Sequence, residues 1–323
     1  MIKLLITDTH FGCKQNSVTW FESQKRLFEK QIIPHIQIMA GPIKIIHLGD
    51  VFDSRSSIST WIASGVVDIF KSLSRLDNVS EIIIINGNHD FYSPNSDRVD
   101  TPSLILKDIP KVTVLSNRVM VDGDSLYVPW YEWTSGNYKK YITSEIKNIF
   151  THTDLVTDKI YIPGVRLLSG HIHIPYYNKA HQVYNLGSCY SLNFADANSI
   201  RGYYIITDDD EVKMFPNTTG INFWRFKDED IFDACEKIKP NDYVELYVSG
   251  ANMKNEKYNK AIGRVLLKSK NVSVIPVIQE VYNTTQIDFN AYDIESIIRN
   301  FIPDRLMEKF LKIQDAVKQS DNV

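Results

Sequence analysis

Side chains that bind metals or transfer protons recur in this sequence directly after short apolar runs. The pattern occurs at Asp8-Thr9-His10, Gly49-Asp50-Val51-Phe52-Asp53, Gly87-Asn88-His89-Asp90 and Gly170-His171-Ile172-His173. Carboxylate, imidazole and amide-oxygen groups suit a divalent metal such as Mn²⁺, Fe²⁺ or Zn²⁺. These four motifs offer more ligands than one ion needs. Two ions that share a carboxylate would use them all, an arrangement that belongs to phosphoester hydrolysis.

Each motif has a simpler explanation when it is taken alone. Asp-x-His occurs often by chance, and Gly-Asp-x-x-Asp also fits a turn followed by a helix cap. Two histidines in Gly-His-x-His are equally compatible with a solvent-facing loop. All four motifs in this order, each at the end of a predicted strand, favour one composite site. His152 is the weakest candidate ligand, because Tyr138–Phe150 is predicted as a helix and leaves it at a helix end.

The elements that must position these residues read as alternating strands and helices. Ile82–Ile85 is a run of β-branched residues and predicts a buried central strand. Ile2–Thr7 and Ile43–Leu48 are similar, and helical spacing marks Trp20–Met39, interrupted or ended near Pro34, and Thr60–Leu76. This alternation predicts an α/β sheet, whose strand ends are the usual place for an active site.

Two domains followed by a C-terminal tail are expected in the 323-residue chain. The turn-rich segment at 216–220 marks a boundary, so residues 1–216 form the first domain, with 91–102 as a long surface loop. A small α+β unit is expected over 217–286. Residues 287–323 form a tail in which Tyr292–Lys318 is amphipathic and helical, a pattern typical of a segment that packs back or docks a partner.

Net charge, cysteine content and the length of apolar stretches limit the classes of protein to which this chain can belong. The net charge of -3 argues against unaided nucleic-acid binding but leaves room for a local basic groove. The three cysteines are scattered, which argues against a disulfide framework and against a structural zinc site held by thiolates. No apolar stretch is long enough to span a bilayer. We therefore expect a cytoplasmic protein with no membrane partner, in the host cytoplasm if the chain is viral.

The four motifs together with His152 resemble the five motifs of the calcineurin-like metallophosphoesterases. Within that superfamily the chain is similar to the SbcD/Mre-type DNA-repair nucleases, a group that includes recombination endonucleases of T-even bacteriophages. The supporting segments are Val51–Arg55, Val128–Trp130 and Arg201–Tyr203. The resemblance implies a layered α/β fold: a two-sheet sandwich flanked by helices, then a small α+β capping domain and a C-terminal helical tail.

The resemblance also implies a role for each motif residue. One metal would be held by Asp8, His10, Asp50 and His173, and the second by Asp50, Asn88, His152 and His171, so that Asp50 bridges. His89 would be the catalytic histidine, oriented by Asp53. The implied cofactors are two divalent ions, Mn²⁺ first and Mg²⁺ second, with no organic cofactor.

The leading functional hypothesis is a DNA nuclease with exonuclease and endonuclease activity, in a complex with an SbcC-like coiled-coil ATPase docked on the tail. A homodimer is expected through the early helices, whose aromatic residues are Trp20, Phe21, Trp61 and Phe70. The alternative is a metallophosphoesterase for a phosphoprotein or cyclic nucleotide, although Ser54-Arg55 and Asp90 depart from the protein-phosphatase pattern. A non-catalytic scaffold is the third hypothesis, and the full ligand set argues against it.

Overall fold

The computed structural model describes residues 1–93, 96–207 and 210–277. The predicted tail at 287–323 and the end of the predicted 217–286 unit lie outside these residues.

The strands, in chain order, are β1 (Ile2–Ile6), β2 (Ile43–His47), β3 (Val79–Ile85), β4 (Phe91–Ser93), β5 (Ser96–Asp100), β6 (Val112–Leu115), β7 (Met120–Asp122), β8 (Ser125–Val128), β9 (Asn148–Thr151), β10 (Arg166–Ser169), β11 (Tyr176–Asn178), β12 (Val183–Asn185), β13 (Gly202–Ile206), β14 (Val212–Pro216), β15 (Phe223–Lys227), β16 (Tyr243–Ser249) and β17 (Asn271–Val277).

Short helices connect these strands. They are α1 (Cys13–Asn16), α2 (Val18–Leu27), α3 (Ile33–Ile38), α4 (Thr60–Ser74), α5 (Thr101–Leu106), α6 (Trp130–Thr134), α7 (Ile231–Lys237), α8 (Gly250–Met253) and α9 (Glu256–Lys268). Ser59 caps α4, since its side chain accepts a hydrogen bond from the amide of Ile62 at 3.3 Å. A π-helical turn, Phe28–Ile32, joins α2 to α3. Pro34 therefore occupies the first turn of α3, where its missing N–H is tolerated, and the helical segment continues past it.

Two six-stranded sheets form the main body. The first has the order β14-β13-β1-β2-β3-β6, and the second has the order β11-β12-β10-β9-β8-β7. Strands β1, β2, β3 and β6 run parallel, as do β8, β9, β10 and β12. The carboxyl ends of each parallel set therefore meet at one edge of their sheet. This arrangement confirms the predicted α/β two-sheet sandwich.

The two sheets share one buried layer. Ile46 and Ile83 of the first sheet lie in the same apolar cluster as Tyr127, Phe150 and Leu168 of the second, and all five are buried. The rings of Tyr127 and Phe150 stack with their centroids 5.2 Å apart. The opposite face of the first sheet packs against α2, α3 and α4 in a second cluster. The alternation of inward and outward side chains along each strand produces these two layers.

Two predicted elements are wrong. Tyr138–Phe150 is not a helix: a short 3₁₀ turn covers Asn137–Tyr141, and Asn148–Thr151 is β9. Strand β9 pairs with both β8 and β10 and is fully buried, so tertiary pairing decides its conformation. The predicted surface loop at 91–102 instead contains the hairpin of β4 and β5 and the start of α5, which Asp100 caps through the amide of Ser103 at 2.7 Å.

A third sheet follows the sandwich. Strands β15, β16 and β17 run parallel, and α7 and α9 cover them with a separate apolar cluster. The small α+β unit expected over 217–286 is therefore seen as far as residue 277. Trp20 of α2 stacks on Phe223 of β15, with centroids 5.9 Å apart, so this sheet is packed against the helices of the main body. The assignment of 217–286 to a capping domain stays a prediction.

Candidate active site

The ends of five parallel strands supply the candidate site residues. Asp8, Asp50 and Asn88 follow β1, β2 and β3 in the first sheet, while His152 and His171 follow β9 and β10 in the second. The backbone is left-handed at Asp8 (φ 48°), Asp50 (φ 52°) and His171 (φ 80°). Non-glycine residues adopt this conformation at a cost, and such strain clusters at functional sites. The turns aim the side chains into the space where the two sheets meet.

One group of donor atoms comes from Asp8, His10 and His173, which lie within 4.8 Å of one another. The Nε2 atoms of His10 and His173 are 3.1 Å apart. Each of these atoms is 3.9 Å from Oδ1 of Asp8. Three converging donors of this kind match the ligand preference of a divalent metal.

A second group comes from Asp50, His152 and His171, also within 4.8 Å of one another. The amide oxygen of Asn88 joins it, because Asn88 Oδ1 is 2.9 Å from Nδ1 of His171 and 3.2 Å from Nε2 of His152. His152 itself is completely buried. The structure thus brings the weakest sequence candidate, His152, into the same cluster as the other motif residues, because it follows a strand after all.

Asp50 connects the two groups. Its Oδ2 atom is 3.2 Å from Nε2 of His152 and 3.7 Å from Nε2 of His10. Its Oδ1 atom accepts a hydrogen bond from the backbone amide of His89 at 2.9 Å. Burial raises the pKa of Asp50, but the neighbouring His152 and His10 outweigh it and hold the pKa below its ordinary value. An ionised carboxylate therefore lies between both sets of donors.

The contacts of His152 test whether the cluster suits a cation. Its Nδ1 lies 2.6 Å from the carbonyl oxygen of Leu48, so this nitrogen must carry a proton and donate it. The other nitrogen, Nε2, faces two oxygen acceptors, on Asp50 and Asn88. Burial lowers the pKa of His152, yet the charge of Asp50 raises it to about 9. A nitrogen facing only acceptors requires a positive charge, from a proton or a metal ion, so the donor set fits a divalent cation.

His89 lies beside both groups. Its ring centroid is 5.0 Å from that of His10. Its Nδ1 donates to the backbone carbonyl of Asp53 at 2.7 Å. The carboxylate of Asp53 faces His10 instead, with Oδ1 3.4 Å from Nδ1. Asp53 was expected to orient His89 with its side chain, but the contact that fixes this imidazole is made by the main chain of Asp53.

Two glycines make this close approach possible. A Cβ atom on Gly49 would lie 2.5 Å from Nδ1 of His152, and the backbone there is left-handed at φ 95°. A Cβ atom on Gly170 would come 2.6 Å from Oδ2 of Asp8. A side chain at either position would therefore clash with a residue of the site. At Gly49 it would also be strained by the left-handed backbone.

Asp90 is a site residue to which the sequence reasoning gave no role. It is buried, and its carboxylate accepts from the amides of Phe52 (3.1 Å) and Gly87 (2.9 Å). Burial and the charge of Asp50 raise the pKa of Asp90 to about 7. Its contacts tie the loop after β2 to the loop after β3. The only sequence signal was its place at the end of Gly-Asn-His-Asp.

Most of the other residues singled out near the donor groups and on the early helices are buried. His47, the last residue of β2, is buried beside Thr9. Arg201, in a segment that supports the family resemblance, has a buried side chain that pairs with Asp196 at 3.0 Å. Of the aromatic residues expected at a dimer interface, Trp20, Phe21 and Phe70 are buried in the core, and Trp61 is 63% exposed.

The comparisons with known proteins agree with this geometry. Residues 3–209 match the family model described as calcineurin-like phosphoesterase. The chain belongs to the calcineurin-like phosphoesterase family. Its members are metal-dependent hydrolases that act on phosphoester bonds, and the two donor groups lie inside the matched region. The resemblance at the superfamily level is thereby confirmed.

Two further comparisons, with curated sequences and with solved structures, do not refine this assignment. No curated protein sequence matches this chain. One solved structure, a mutant of a cold-active protein tyrosine phosphatase, shares 10% identity at a TM-score of 0.36, covering 66% of this chain and 80% of its own. A likeness this weak carries no argument. Among the described residues, no helix has both the length and the apolar character needed to cross a membrane.

Proposed function

We propose that this phosphoesterase is a two-metal DNA nuclease of the SbcD/Mre type that hydrolyses phosphodiester bonds with exonuclease and endonuclease activity. The observation that carries the hydrolytic part is the position of Asp50, whose carboxylate faces both donor groups. A carboxylate shared by two ions is the arrangement used for phosphoester displacement. The assignment to DNA is supported by the segments after the motifs, such as Val51–Arg55, which are similar to those of the nuclease subgroup.

The donor groups define which residues would hold the ions. Asp8, His10, Asp50 and His173 would hold one, and Asp50, Asn88, His152 and His171 the other. Bound ions of this class supply positive charge at the phosphoryl oxygens and lower the pKa of water. Mn²⁺ is the proposed ion on the resemblance to the SbcD/Mre-type nucleases, and the mixed imidazole and carboxylate ligands are compatible with it.

His89 is the proposed catalytic residue. The hydrogen bond from Nδ1 to the carbonyl of Asp53 fixes the ring, and Nε2 is the nitrogen that remains for proton transfer. The residue is only partly buried, which leaves part of it accessible to a substrate. When protonated, Nε2 would donate to the leaving oxygen of the scissile phosphate as a general acid. The main-chain contact would hold that nitrogen in place through the reaction.

The partner proposals rest on the sequence. We propose an SbcC-like ATPase docked on the amphipathic segment Tyr292–Lys318, together with a homodimer. Exposed Trp61 on α4 is the described aromatic residue that supports the dimer. A sedimentation mass equal to one chain at micromolar concentration would count against pairing.

End-labelled linear duplex DNA with Mn²⁺ is the substrate that tests the nuclease. Wild type and His89→Ala are compared with and without the ATPase, and bound metal is measured in both proteins. We expect cutting by wild type, a loss of roughly 100-fold or more in the variant, and unchanged metal content. Intact DNA together with turnover of a phosphomonoester or a cyclic nucleotide would instead select the alternative substrate class.

A further inference from the structure

A second cavity lies beside the candidate active site. It has a volume of about 270 Å³ and is enclosed by the segment 54–58, by the hairpin of β4 and β5 and by α5. The segment begins next to Asp53, whose carbonyl binds His89. Two residues span at most about 7 Å, so the Cα atom of Arg55 is within that distance of the Cα atom of Asp53. Tyr92, which also lines the cavity, follows His89 by three residues, so both walls continue directly from loops of the candidate site.

The described lining of the cavity includes the cationic side chain of Arg55. The Nη1 atom of Arg55 is buried and has no hydrogen-bond partner among the described residues, while the rest of the side chain is partly exposed. A guanidinium that has lost water on one side without gaining an acceptor is costly to maintain. The described lining includes no acidic residue, and it carries the hydroxyl groups of Ser54, Ser56, Ser57 and Thr101. This chemistry is complementary to a phosphate group.

The opposite wall is apolar and exposed. Tyr92 is 66% exposed, Leu104 is 69% exposed and Val99 is 49% exposed, and all three line the same cavity. Large apolar side chains gathered at one exposed place mark an interaction surface. The tyrosine ring offers a flat face on which a nucleobase can stack. One cavity thus combines a phosphate-binding cation with an aromatic platform.

We infer that this cavity binds the nucleotide next to the scissile phosphate, with its phosphate on Arg55 and its base on Tyr92. The inference rests on the proposed nuclease function and deepens it by locating a nucleotide subsite. Arg55 acts here as a substrate-binding residue, and the chemistry stays with His89. The subsite gives the enzyme a preference for polynucleotides over small phosphodiesters.

Kinetics on two substrates test the subsite. The variants are Arg55→Met, which keeps the stem, Arg55→Lys, and Lys71→Met on the exposed side of α4 as a charge-matched control. The substrates are a 12-nucleotide DNA and methyl p-nitrophenyl phosphate, which lacks flanking nucleotides. For Arg55→Met we expect the loss of kcat/KM to be about ten-fold larger on DNA than on the small diester, with partial recovery in Arg55→Lys. Lys71→Met should match wild type on both.

Salt dependence and base removal give independent readouts. In a plot of log affinity against log salt concentration, the slope for Arg55→Met should be shallower than that of wild type by about 0.7. This is the change expected when one phosphate contact to a single strand is lost. Tyr92→Ala should weaken binding of the intact DNA by about 5- to 100-fold. The same variant should change little with DNA that lacks the base at the flanking position.

The outcomes separate this inference from the proposed function. Equal losses on both substrates, or an unchanged salt slope, would overturn the subsite and assign Arg55 a structural role. If wild type cleaves the small diester but never DNA, the nuclease proposal fails. Fluorescence anisotropy with the same uncleaved DNA then decides the subsite, and equal affinities of wild type and Arg55→Met would overturn it.

Discussion

At the scale of single residues, the site depends on which atom of each residue makes the contact. Asp53 shows this most clearly, because its backbone carbonyl holds His89 while its carboxylate faces His10. A substitution of Asp53 therefore leaves the contact to His89 available. Asp50 differs, because both of its oxygens are engaged by different parts of the site.

Asp50→Asn is expected to weaken both metal-binding events. The change removes the negative charge that faces His10 and His152, whereas Asp8→Asn removes charge from one donor group only. Metal titration by calorimetry should show two weakened sites in Asp50→Asn and one in Asp8→Asn. Two wild-type affinities in Asp50→Asn would contradict a shared carboxylate.

His47 makes stability depend on pH. Burial, followed by the charge of His152, lowers the pKa of His47 to about 3 from an ordinary 6.5. The unfolded chain then binds the proton more readily, so stability is complete above pH 6.5 and falls as the pH drops towards 3. Its Nδ1 is buried without an acceptor in the described chain, which is why the neutral form is favoured.

Replacing His47 with glutamine should reduce this dependence. Between pH 6.5 and 4 the wild-type free energy of unfolding should fall more steeply than that of His47→Gln, by up to about 1.4 kcal/mol per pH unit. Urea unfolding at several pH values measures the two slopes. Parallel slopes would show that His47 titrates alike in the folded and unfolded states.

At the scale of elements, the motif turns were the predictable part of the structure. Strands β1, β2 and β3 were expected because their runs of branched residues end in polar groups, with a glycine at the turn after β2 and after β3. Strand β9 was missed because four buried residues carry no periodicity that separates strand from helix. The turn at Gly49 is a place where sequence and geometry agree, since both require the absence of a side chain.

Gly49→Ala tests that turn against a matched control. Gly123 also has a positive φ, 57°, but a Cβ atom there would meet nothing within 4 Å. Gly123→Ala should cost about 1–2 kcal/mol for the left-handed backbone alone. Gly49→Ala should cost more and should also weaken metal binding, because its Cβ atom would press on His152. Equal costs with intact metal binding would mean that the contact relaxes freely.

At the scale of the whole molecule, the site exists only while both sheets are packed together. The layer containing Phe150 joins them, and Phe150 lies two residues before His152. The third sheet has a separate core in which Phe226 is 4% exposed. The sequence indicated the main fold class, but the pairing of two sheets across this layer came only from the family resemblance.

Phe150→Ala and Phe226→Ala should separate stability from site assembly. Each removes a buried aromatic ring and should lower the free energy of unfolding by about 3–5 kcal/mol. Only Phe150→Ala is expected to weaken metal binding as well, since its cavity lies under the ligands of the second sheet. Calorimetric metal titration of the two folded variants distinguishes them, and equal metal affinity would contradict a coupling through the inter-sheet layer.

The contact between His10 and His173 joins positions 163 residues apart in the chain. During synthesis, the first histidine is made long before its partner leaves the ribosome. The ligands that follow β1, β2 and β3 are then present without the histidines of the second sheet, so neither donor group is complete. Contacts of such long range form late in folding. The two donor groups are therefore complete only after the second sheet has folded onto the first.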